Sequence, residues 1–599
     1  MINHLIEDIV YFLKSSGFFS NLPDEHLRKL ANQFELIYVH GGEIVIHQGD
    51  PGDCLYLVLS GRLRTIKTEK SETQVLSESG RGELIGELAL ITQEPRSATV
   101  VAIRDSILLK LSKTVFNNYI NEHPLEMLPI AKYAILRILH PNKLSTQKTG
   151  IITLAPAGRK CPLFSKFTAE FVKQLSSGAT TLHLTRESTL NYLKQENIQT
   201  DHEHFNSSKV INWLNDQEAK YSYIVYETDA ESSDWTQLCI RQADQIVLVA
   251  MSNQNESLGK IENDIYSQPQ EIIKAIHLVL LHESHILIPT QTAKWLNIRK
   301  VTEHHHVKEG DIDTLKRLVR CVTGRAIAFV FSGSGARGLS YIGVYKAIRE
   351  LNIPIDYIGA TSSGSLVSCL FAYDYSPDQV IEIFHKELPN MSIDYTLPIV
   401  SLSAGSLWAA GLKGVCGDTN IEDLWKNFFC IATNITQHRM NILQTGLVWK
   451  AVRSSVSLPG IVPPVSNDKD ELLIDGAIVN NFPVDIMRSR LSGGRIIGAN
   501  IHFGAEARAS IPDGILSGWK LFFNQFSKDY GKDVPRIAEI ILSSIILSSL
   551  RHQEEMTALT DCCIDLDLSG FKLLDFKAID QLIELGYIAA MEKLSDFEI

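Results

Sequence analysis

Cysteine is sparse and unpatterned in this chain of 599 residues: nine thiols, two of them adjacent at Cys562-Cys563, and no Cys-x-x-Cys. That excludes a disulfide framework and a cysteine zinc site, and it fits a reducing compartment. No basic block offsets the net charge of -12, which argues against nucleic acid as a partner. No apolar run approaches the ~20 residues of a membrane span. The longest, residues 537–550, is broken by Glu539 and four serines. Glu7, Asp8 and Lys14 interrupt the first apolar residues, so no signal peptide is expected. The expectation is a cytoplasmic protein, soluble or peripheral on a membrane, with no metal.

What is present is ordinary globular composition, 45% hydrophobic and 21% charged, in a chain long enough for several domains. Residues 1 to about 35 space their apolar positions helically, with Leu22-Pro-Asp24 opening the second helix. From Glu35 to about Lys113 the pattern changes to short alternating strands, among them Glu43–His47, Cys54–Val58 and Ala98–Ala102. Gly49, Gly52 and Gly61 punctuate them, which predicts a small β-roll or barrel. Leu125 to Leu139 reads as a helix. Residues 150 to about 300 repeat apolar strands at wide spacing: Ile151–Leu154, Thr181–Leu184, Tyr223–Tyr226, Ile246–Val249 and Ile276–Leu281. Helical segments fill the gaps, an α/β layout with a parallel sheet. The turn Ala155-Pro-Ala-Gly-Arg-Lys160 lacks Gly-x-x-x-x-Gly-Lys-Ser/Thr, so no ATP site is expected there. His304-His-His306 lies in a polar stretch and reads as a solvated linker, because three adjacent histidines do not face one metal on a regular element.

The chemistry concentrates in two stretches. Phe329-Val-Phe-Ser-Gly-Ser-Gly-Ala-Arg-Gly338 reads as a strand, a glycine-rich turn, and a helix from Leu339 to about Glu350. Gly359-Ala-Thr-Ser-Ser-Gly364 repeats that layout and leads into a helix from Ser365 to about Tyr373. A serine on a sharp strand-to-helix turn is exposed, at a helix end that favours developing negative charge. In Gly-x-Ser-x-Gly terms the nucleophile is Ser362, with Ala360 in place of the first glycine and Gly364 as the last; Ser363 fails because residue 365 is serine. As a single feature Ser362 would read as a helix N-cap. Glycines in the first turn let the N–H groups of Gly333, Ser334 and Gly335 converge on one oxygen. No histidine has a triad-like context. Downstream, Leu472-Leu-Ile-Asp475-Gly-Ala-Ile-Val-Asn-Asn-Phe-Pro483 ends an apolar strand in an acid. A free Asp is a weak base, so burial beside the serine would have to raise its pKa; the rival is a simple Asp-Gly turn.

Gly-x-Gly-x-Arg-Gly, a serine elbow and Asp-Gly-Ala, in that order, resemble the patatin-like phospholipases. Ser334 stands where that family usually has a third glycine. The resemblance implies a Ser362–Asp475 dyad, an oxyanion hole at Gly333, Ser334 and Gly335, and support from Arg337, Gly338, Gly364 and Gly476. It implies no metal or other cofactor for catalysis. Gly86-Glu-Leu88 and Arg96-Ser-Ala98 closely resemble the phosphate cassette of cyclic-nucleotide-binding domains. By that resemblance Glu87 takes the ribose 2′-OH, and Arg96 with Ser97 the cyclic phosphate, of cAMP or cGMP; the rival is a β-roll that has lost its ligand. Trp235–Asp244, Leu315–Gly324 and the domain order resemble the neuropathy target esterase type, over nearly the whole chain. One nucleotide-binding domain is expected where animal members have several, and no N-terminal anchor.

The expected architecture is multidomain α/β: a nucleotide-binding β-roll with flanking helices over 1–145, an α/β domain over 150–300, and a patatin-like α/β hydrolase domain over 325–599. Gly405 to Gly414 and Ser454 to Pro464 read as loop-rich and resemble family loops around the active site, and Ala578 to Met591 reads as a closing helix. Ile515 to Phe526 is amphipathic and aromatic; core packing is preferred over lipid docking. The expected function is hydrolysis of fatty acyl esters of lysophospholipids or phospholipids under a cyclic nucleotide. The alternatives are a broader esterase or acyltransferase, a nucleotide sensor with a non-catalytic hydrolase domain, and a transcription regulator, which would need a basic face. Oligomeric state is left open.

Overall fold

The computed structural model describes residues 2–16, 22–69, 72–124, 150–158, 161–196, 208–218, 220–267, 274–391, 393–491, 493–502, 552–573 and 575–597, with residues 19, 132, 135 and 205. The helix expected at Leu125–Leu139 and the segments at 515–526 and 537–550 lie outside these. The chain forms two compact units, Met1–Leu281 with Trp295–His304, and His282–Lys294 with His305–Ile599.

The first unit opens with the helices Ile2–Ser15 and Asp24–Ala31. Eight strands follow: β1 Glu35–Val39, β2 Ile44–Ile46, β3 Cys54–Ser60, β4 Leu63–Glu69, β5 Glu72–Ser79, β6 Leu84–Ile85, β7 Thr99–Ala102 and β8 Ser106–Ser112. They make two four-stranded sheets, ordered β1-β8-β3-β6 and β2-β7-β4-β5, with antiparallel pairing throughout. This is the expected β-roll. Val58, Leu63, Val100 and Leu108 fill its interior, and the first two helices add Leu13, Leu27 and Leu30 against Leu55, Leu57 and Leu109.

A further sheet completes the unit: β9 Gly150–Pro156, β10 Thr181–Leu184, β11 Tyr223–Glu227, β12 Gln245–Met251 and β13 Ala275–His282, in the order β10-β11-β9-β12-β13; a sixth strand, β14 Glu303–Lys308, starts at the end of this unit and runs on into the second. β9 to β13 pair in parallel. The strands read as continuous apolar runs because both faces are covered. The sixth strand corrects the linker expected at His304–His306: it is a strand, and His305 and His306 are 2% and 1% exposed. Polar character misled there, because buried imidazoles are satisfied by hydrogen bonds. In the second unit, His306 Nε2 lies 2.9 Å from the Glu422 carbonyl and its Nδ1 2.9 Å from His282 Nε2.

Two buried polar features hold the first unit. Arg104 pairs with Glu218 at 3.0 Å and with Asp244 at 3.6 Å, and Arg62 reaches Asp244 at 3.0 Å. Asp105 accepts from Gln242 Nε2 at 3.2 Å. The β-roll and the β9–β13 sheet thus share a buried ionic seam. At the turn after β9, Gly158 N–H and Gly259 N–H both donate to Glu262 Oε2, at 2.8 and 2.7 Å. Arg299 Nε donates to Glu262 Oε1 at 2.6 Å, and both side chains are fully buried. A carboxylate of the chain itself therefore occupies the Gly158 N–H, in the turn where a phosphate-cradling loop would meet a nucleotide.

The second unit carries β15 Ile327–Phe331, β16 Tyr357–Thr361, β17 Asn427–Asn434, β18 Arg439–Leu443, β19 Val465–Ser466, β20 Leu472–Asp475, β21 Arg495–His502 and β22 Cys562–Asp567. The sheet order is β19-β20-β17-β16-β15-β21-β22, with β18 also on β17. The centre is parallel and the β17–β20 edge antiparallel. Every residue of β15 and β16 is buried. Helix Ser340–Glu350 packs on helix Ile579–Leu594, the closing helix expected from the sequence. The stretch at Gly405–Gly414 is not a loop: Ser406–Cys416 is a helix, opened by Gly405 at φ +75°. Gly411 meets Met391 so closely that a Cβ there would lie 2.7 Å from Met391 Cγ.

Candidate active site

The site forms where parallel strands end, the usual place for chemistry in such sheets. β16 stops at Thr361, and helix Ser363–Ala372 begins two residues on. Ser362 between them has φ +52° and ψ -127°, a conformation that costs a non-glycine residue ~1–3 kcal/mol. The turn is held by a hydrogen bond of 2.9 Å from Ser362 N–H to Ser455 Oγ, whose hydroxyl donates to the Ile431 carbonyl at 2.7 Å. The helix can start this abruptly because Gly364 has no side chain: a Cβ there would lie 2.7 Å from the Phe331 carbonyl oxygen.

Strand register brings the acid to the serine. Thr361 pairs with Ile431 on β17, and the next β17 residue, Ala432, pairs with Asp475 on β20. Asp475 therefore lies at the level of the residue after Thr361. Ser362 Oγ donates to Asp475 Oδ2 at 2.8 Å. The other oxygen, Oδ1, accepts from Ala477 N–H at 2.8 Å, and Gly476 begins the 3-10 turn that supplies that donor. Asp475 is fully buried. Burial pushes its carboxyl up to about 7, against the lowering effect of the Ala477 and Ser362 hydrogen bonds. A carboxylate of that basicity beside a hydroxyl can take its proton near neutral pH.

The glycine turn needs a correction. Gly333 N–H points to Asn481, 3.2 Å from Oδ1, and Asn481 Nδ2 returns a bond of 3.0 Å to the Gly333 carbonyl. Ser334 N–H donates to Ser363 Oγ at 2.9 Å. Neither residue is among those that line the cavity, and side chains of the protein already hold both donors. Gly335, at φ +63°, opens a 3-10 turn, and Ser363 opens its helix. First-turn N–H groups have no intrahelical acceptor, and both residues line the cavity with Ser362. The signal for Ser363 lay in the sequence, since the residue after an elbow nucleophile commonly supplies an oxyanion donor; Asn481 had no such signal. Arg337 donates through Nε and Nη2 to the Phe571 carbonyl, at 2.9 and 2.7 Å, and so ties down the back of the turn. Gly338 packs against Ser363.

A cavity of about 590 Å³ opens from Ser362, walled by apolar side chains including Leu366, Phe384, Leu388, Leu458 and Ile461. His385 stands on its lining and lies 3.1 Å from Asp580 through Nε2, both side chains well exposed. That pair was not anticipated from the sequence.

In the β-roll, Gly86 at φ +83° caps the short helix Glu87–Thr92. Glu87 and Ala98 are buried, Leu88 is half-buried and Ser97 is exposed. The Arg96 guanidinium turns inward, donating to the Gly86 carbonyl at 2.9 Å and the Cys54 carbonyl at 2.7 Å, and lying 3.3 Å from Asp53 Oδ1. It is 5% exposed.

Comparison with known proteins finds three family models along the chain. Residues 36–123 match the cyclic nucleotide-binding domain, 148–323 the Neuropathy Target Esterase family P-loop like domain, and 329–488 the patatin-like phospholipase model. Patatin-like phospholipase domain-containing protein 6 of Pongo abelii is 31% identical over 94% of this chain and 45% of its own length. Neuropathy target esterase sws of Drosophila melanogaster is 30% identical over 94% of this chain and 42% of its own. Lysophospholipase nte1 of Neosartorya fischeri is 28% identical over 92% and 41%. The chain spans a little under half the length of these curated relatives. Among solved structures, the regulatory domain of Toxoplasma gondii PKA with cAMP is 32% identical over 19% of this chain and 44% of that one, at TM-score 0.19. The resemblances read from the motifs thus hold: the chain carries a cyclic nucleotide-binding domain, a neuropathy target esterase P-loop like domain and a patatin-like phospholipase domain, in that order.

Proposed function

From the patatin-like phospholipase domain at residues 329–488, we propose that this protein hydrolyses the fatty acyl esters of lysophospholipids and phospholipids with Ser362 as nucleophile and Asp475 as base. The observation that carries the reading is the hydrogen bond of 2.8 Å from Ser362 to a fully buried carboxylate beside an apolar cavity. Asp475 takes the proton of Ser362 Oγ as it attacks the ester carbonyl. The N–H groups of Gly335 and Ser363 receive the oxyanion. When the tetrahedral intermediate collapses, Asp475 returns the proton to the departing alcohol. Water then attacks the acyl-enzyme with Asp475 again as base, and fatty acid leaves. The apolar walls accept the acyl chain, whose burial favours binding by ~0.8 kcal/mol per methylene. The relative named lysophospholipase nte1 supports a lysophospholipid among the substrates.

The β-roll is the regulatory part of the proposal. Cyclic nucleotide would bind with its phosphate on Arg96, which must first exchange the Gly86 and Cys54 carbonyls and Asp53 for the ligand. A ligand changes activity only through unequal binding to two states.

The test is fatty-acid release from lysophosphatidylcholine by the wild type and Ser362→Ala, each with and without cAMP or cGMP. Release lost in the variant is the expected result, and a nucleotide-dependent rate would add the switch. No release by the wild type would overturn the hydrolase reading in favour of a nucleotide sensor.

A further inference from the structure

Beside the cavity the chain makes a hairpin with an unusual surface. Ile393 and Ser403, one on each leg, both line the cavity. Tyr395 bridges Ser403 in antiparallel fashion, and Thr396 N–H donates to the Leu402 carbonyl at 3.0 Å. The base is firmly held. Asp394 accepts from Gly405 N–H and Ser406 N–H, each at 2.8 Å, and from the Ser403 hydroxyl. Leu402 N–H and Ser403 N–H donate to the carbonyls of Gly460 and Ile461, each at 2.9 Å. Beyond this anchored base every residue from Tyr395 to Val400 is exposed. Tyr395 is 80%, Leu397 75%, Ile399 82% and Val400 67% exposed. The run Tyr395-Thr-Leu-Pro-Ile-Val400 carries no charge. Soluble surfaces rarely display contiguous large aliphatic groups without a partner.

We propose that this hairpin docks the protein on a phospholipid surface, its apolar tip entering the headgroup–acyl boundary with the cavity mouth turned to the lipid. The choice of a lipid surface as occupant rests on the acyl-ester reading above. Three features of the hairpin favour it. The tip carries no charge, and from Leu397 to Val400 no polar side chain, whereas the rim of a protein interface is polar. Tyr395 sits at the base of the tip, the level at which tyrosine is enriched in membrane interfaces. The legs are continuous with the cavity wall, so an acyl chain leaving the lipid passes from one apolar phase to another without crossing water.

The experiment uses the full chain carrying Ser362→Ala, so that substrate is not consumed, and sucrose-loaded phosphatidylcholine vesicles in a sedimentation assay. The expected result is that Leu397→Asp with Ile399→Asp weakens vesicle partitioning at least tenfold. In the active background the same pair should leave hydrolysis of water-soluble p-nitrophenyl butyrate within twofold, and lower hydrolysis of vesicle-borne lysophospholipid in step with partitioning. Leu397→Trp should instead strengthen partitioning, a gain that a misfolded variant would not show. Unchanged partitioning in both variants overturns the proposal. So does a second copy as the occupant, recognised by light scattering as a dimer that the Asp pair dissociates while vesicle binding persists. The two readings fail separately: a wild type that binds vesicles through the hairpin but cleaves no ester sinks the hydrolase and leaves the docking surface standing.

Discussion

Ser362 and Asp475, 113 residues apart in the chain, share a hydrogen bond of 2.8 Å, and among the described residues Asp475 is the one placed to take a proton from the serine hydroxyl. The rate should therefore follow the ionisation of that one carboxyl. With its pKa raised to about 7 by burial, kcat/KM on a soluble ester should climb between pH 6 and 8 and level off above. A rate already at its plateau at pH 5 would show that Asp475 is not the base.

The same burial has a cost in stability. A carboxyl whose folded pKa is raised binds its proton more tightly in the folded state. Its stabilising contribution is complete below pH ~4 and is lost as pH rises through about 7. Asp475→Asn has no such loss. The variant should be inactive, and it should gain on the wild type by a few kcal/mol between pH 5 and pH 8, at ~1.4 kcal/mol per pKa unit. Chemical unfolding at the two pH values measures this; an equal difference at both would refute it.

Ser362 sits at φ +52°, where glycine is at ease and alanine is not. Ser362→Gly and Ser362→Ala should both abolish turnover. The glycine variant should be the more stable of the two by ~1 kcal/mol or more, read as a higher unfolding midpoint.

Asn481 grips Gly333 through both its amide atoms and is not among the residues that line the cavity, so it acts as a positioning residue. Asn481→Ala should let the glycine turn drift, lowering kcat ~10- to 100-fold while KM changes little. A rise in KM at constant kcat would assign Asn481 to ground-state binding instead.

The buried seam of the first unit should be intolerant of half-removal. Asp244→Ala leaves Arg62 and Arg104 short of a counter-charge, at ~3–5 kcal/mol. Asp244→Asn should cost nearly as much, because the loss is of charge rather than volume. Denaturant unfolding of each variant decides it.

Much of this site was legible in the chain itself. Ser362 and the strand before it follow from a repeated strand–turn–helix pattern, and all five strands expected between residues 150 and 300 are present. What stayed hidden depends on direction and register. Asp475 faces Ser362 only because β20 runs antiparallel beside β17 and stops level with the elbow. The glycines announced a tight turn, yet which N–H groups point into the cavity is decided by Asn481 and Ser363, far off in sequence. His306 looked solvated because its partners, His282 and the Glu422 carbonyl, are visible only after folding. Arg96 looked free to meet a phosphate, and its inward bonds to two carbonyls leave no trace in a motif.

Glu262 replaces a supplied ligand with a built-in one. In a protein that wraps a turn around a dissolved anion, the order of that turn rises and falls with the anion's concentration by mass action. Here the anion is covalently part of the chain, clamped by Arg299 and two glycine N–H groups. Its effective concentration never changes. The hydrogen bonds at Gly158 and Gly259 therefore form at any concentration of dissolved phosphate, and the order of these two residues is a property of the fold itself.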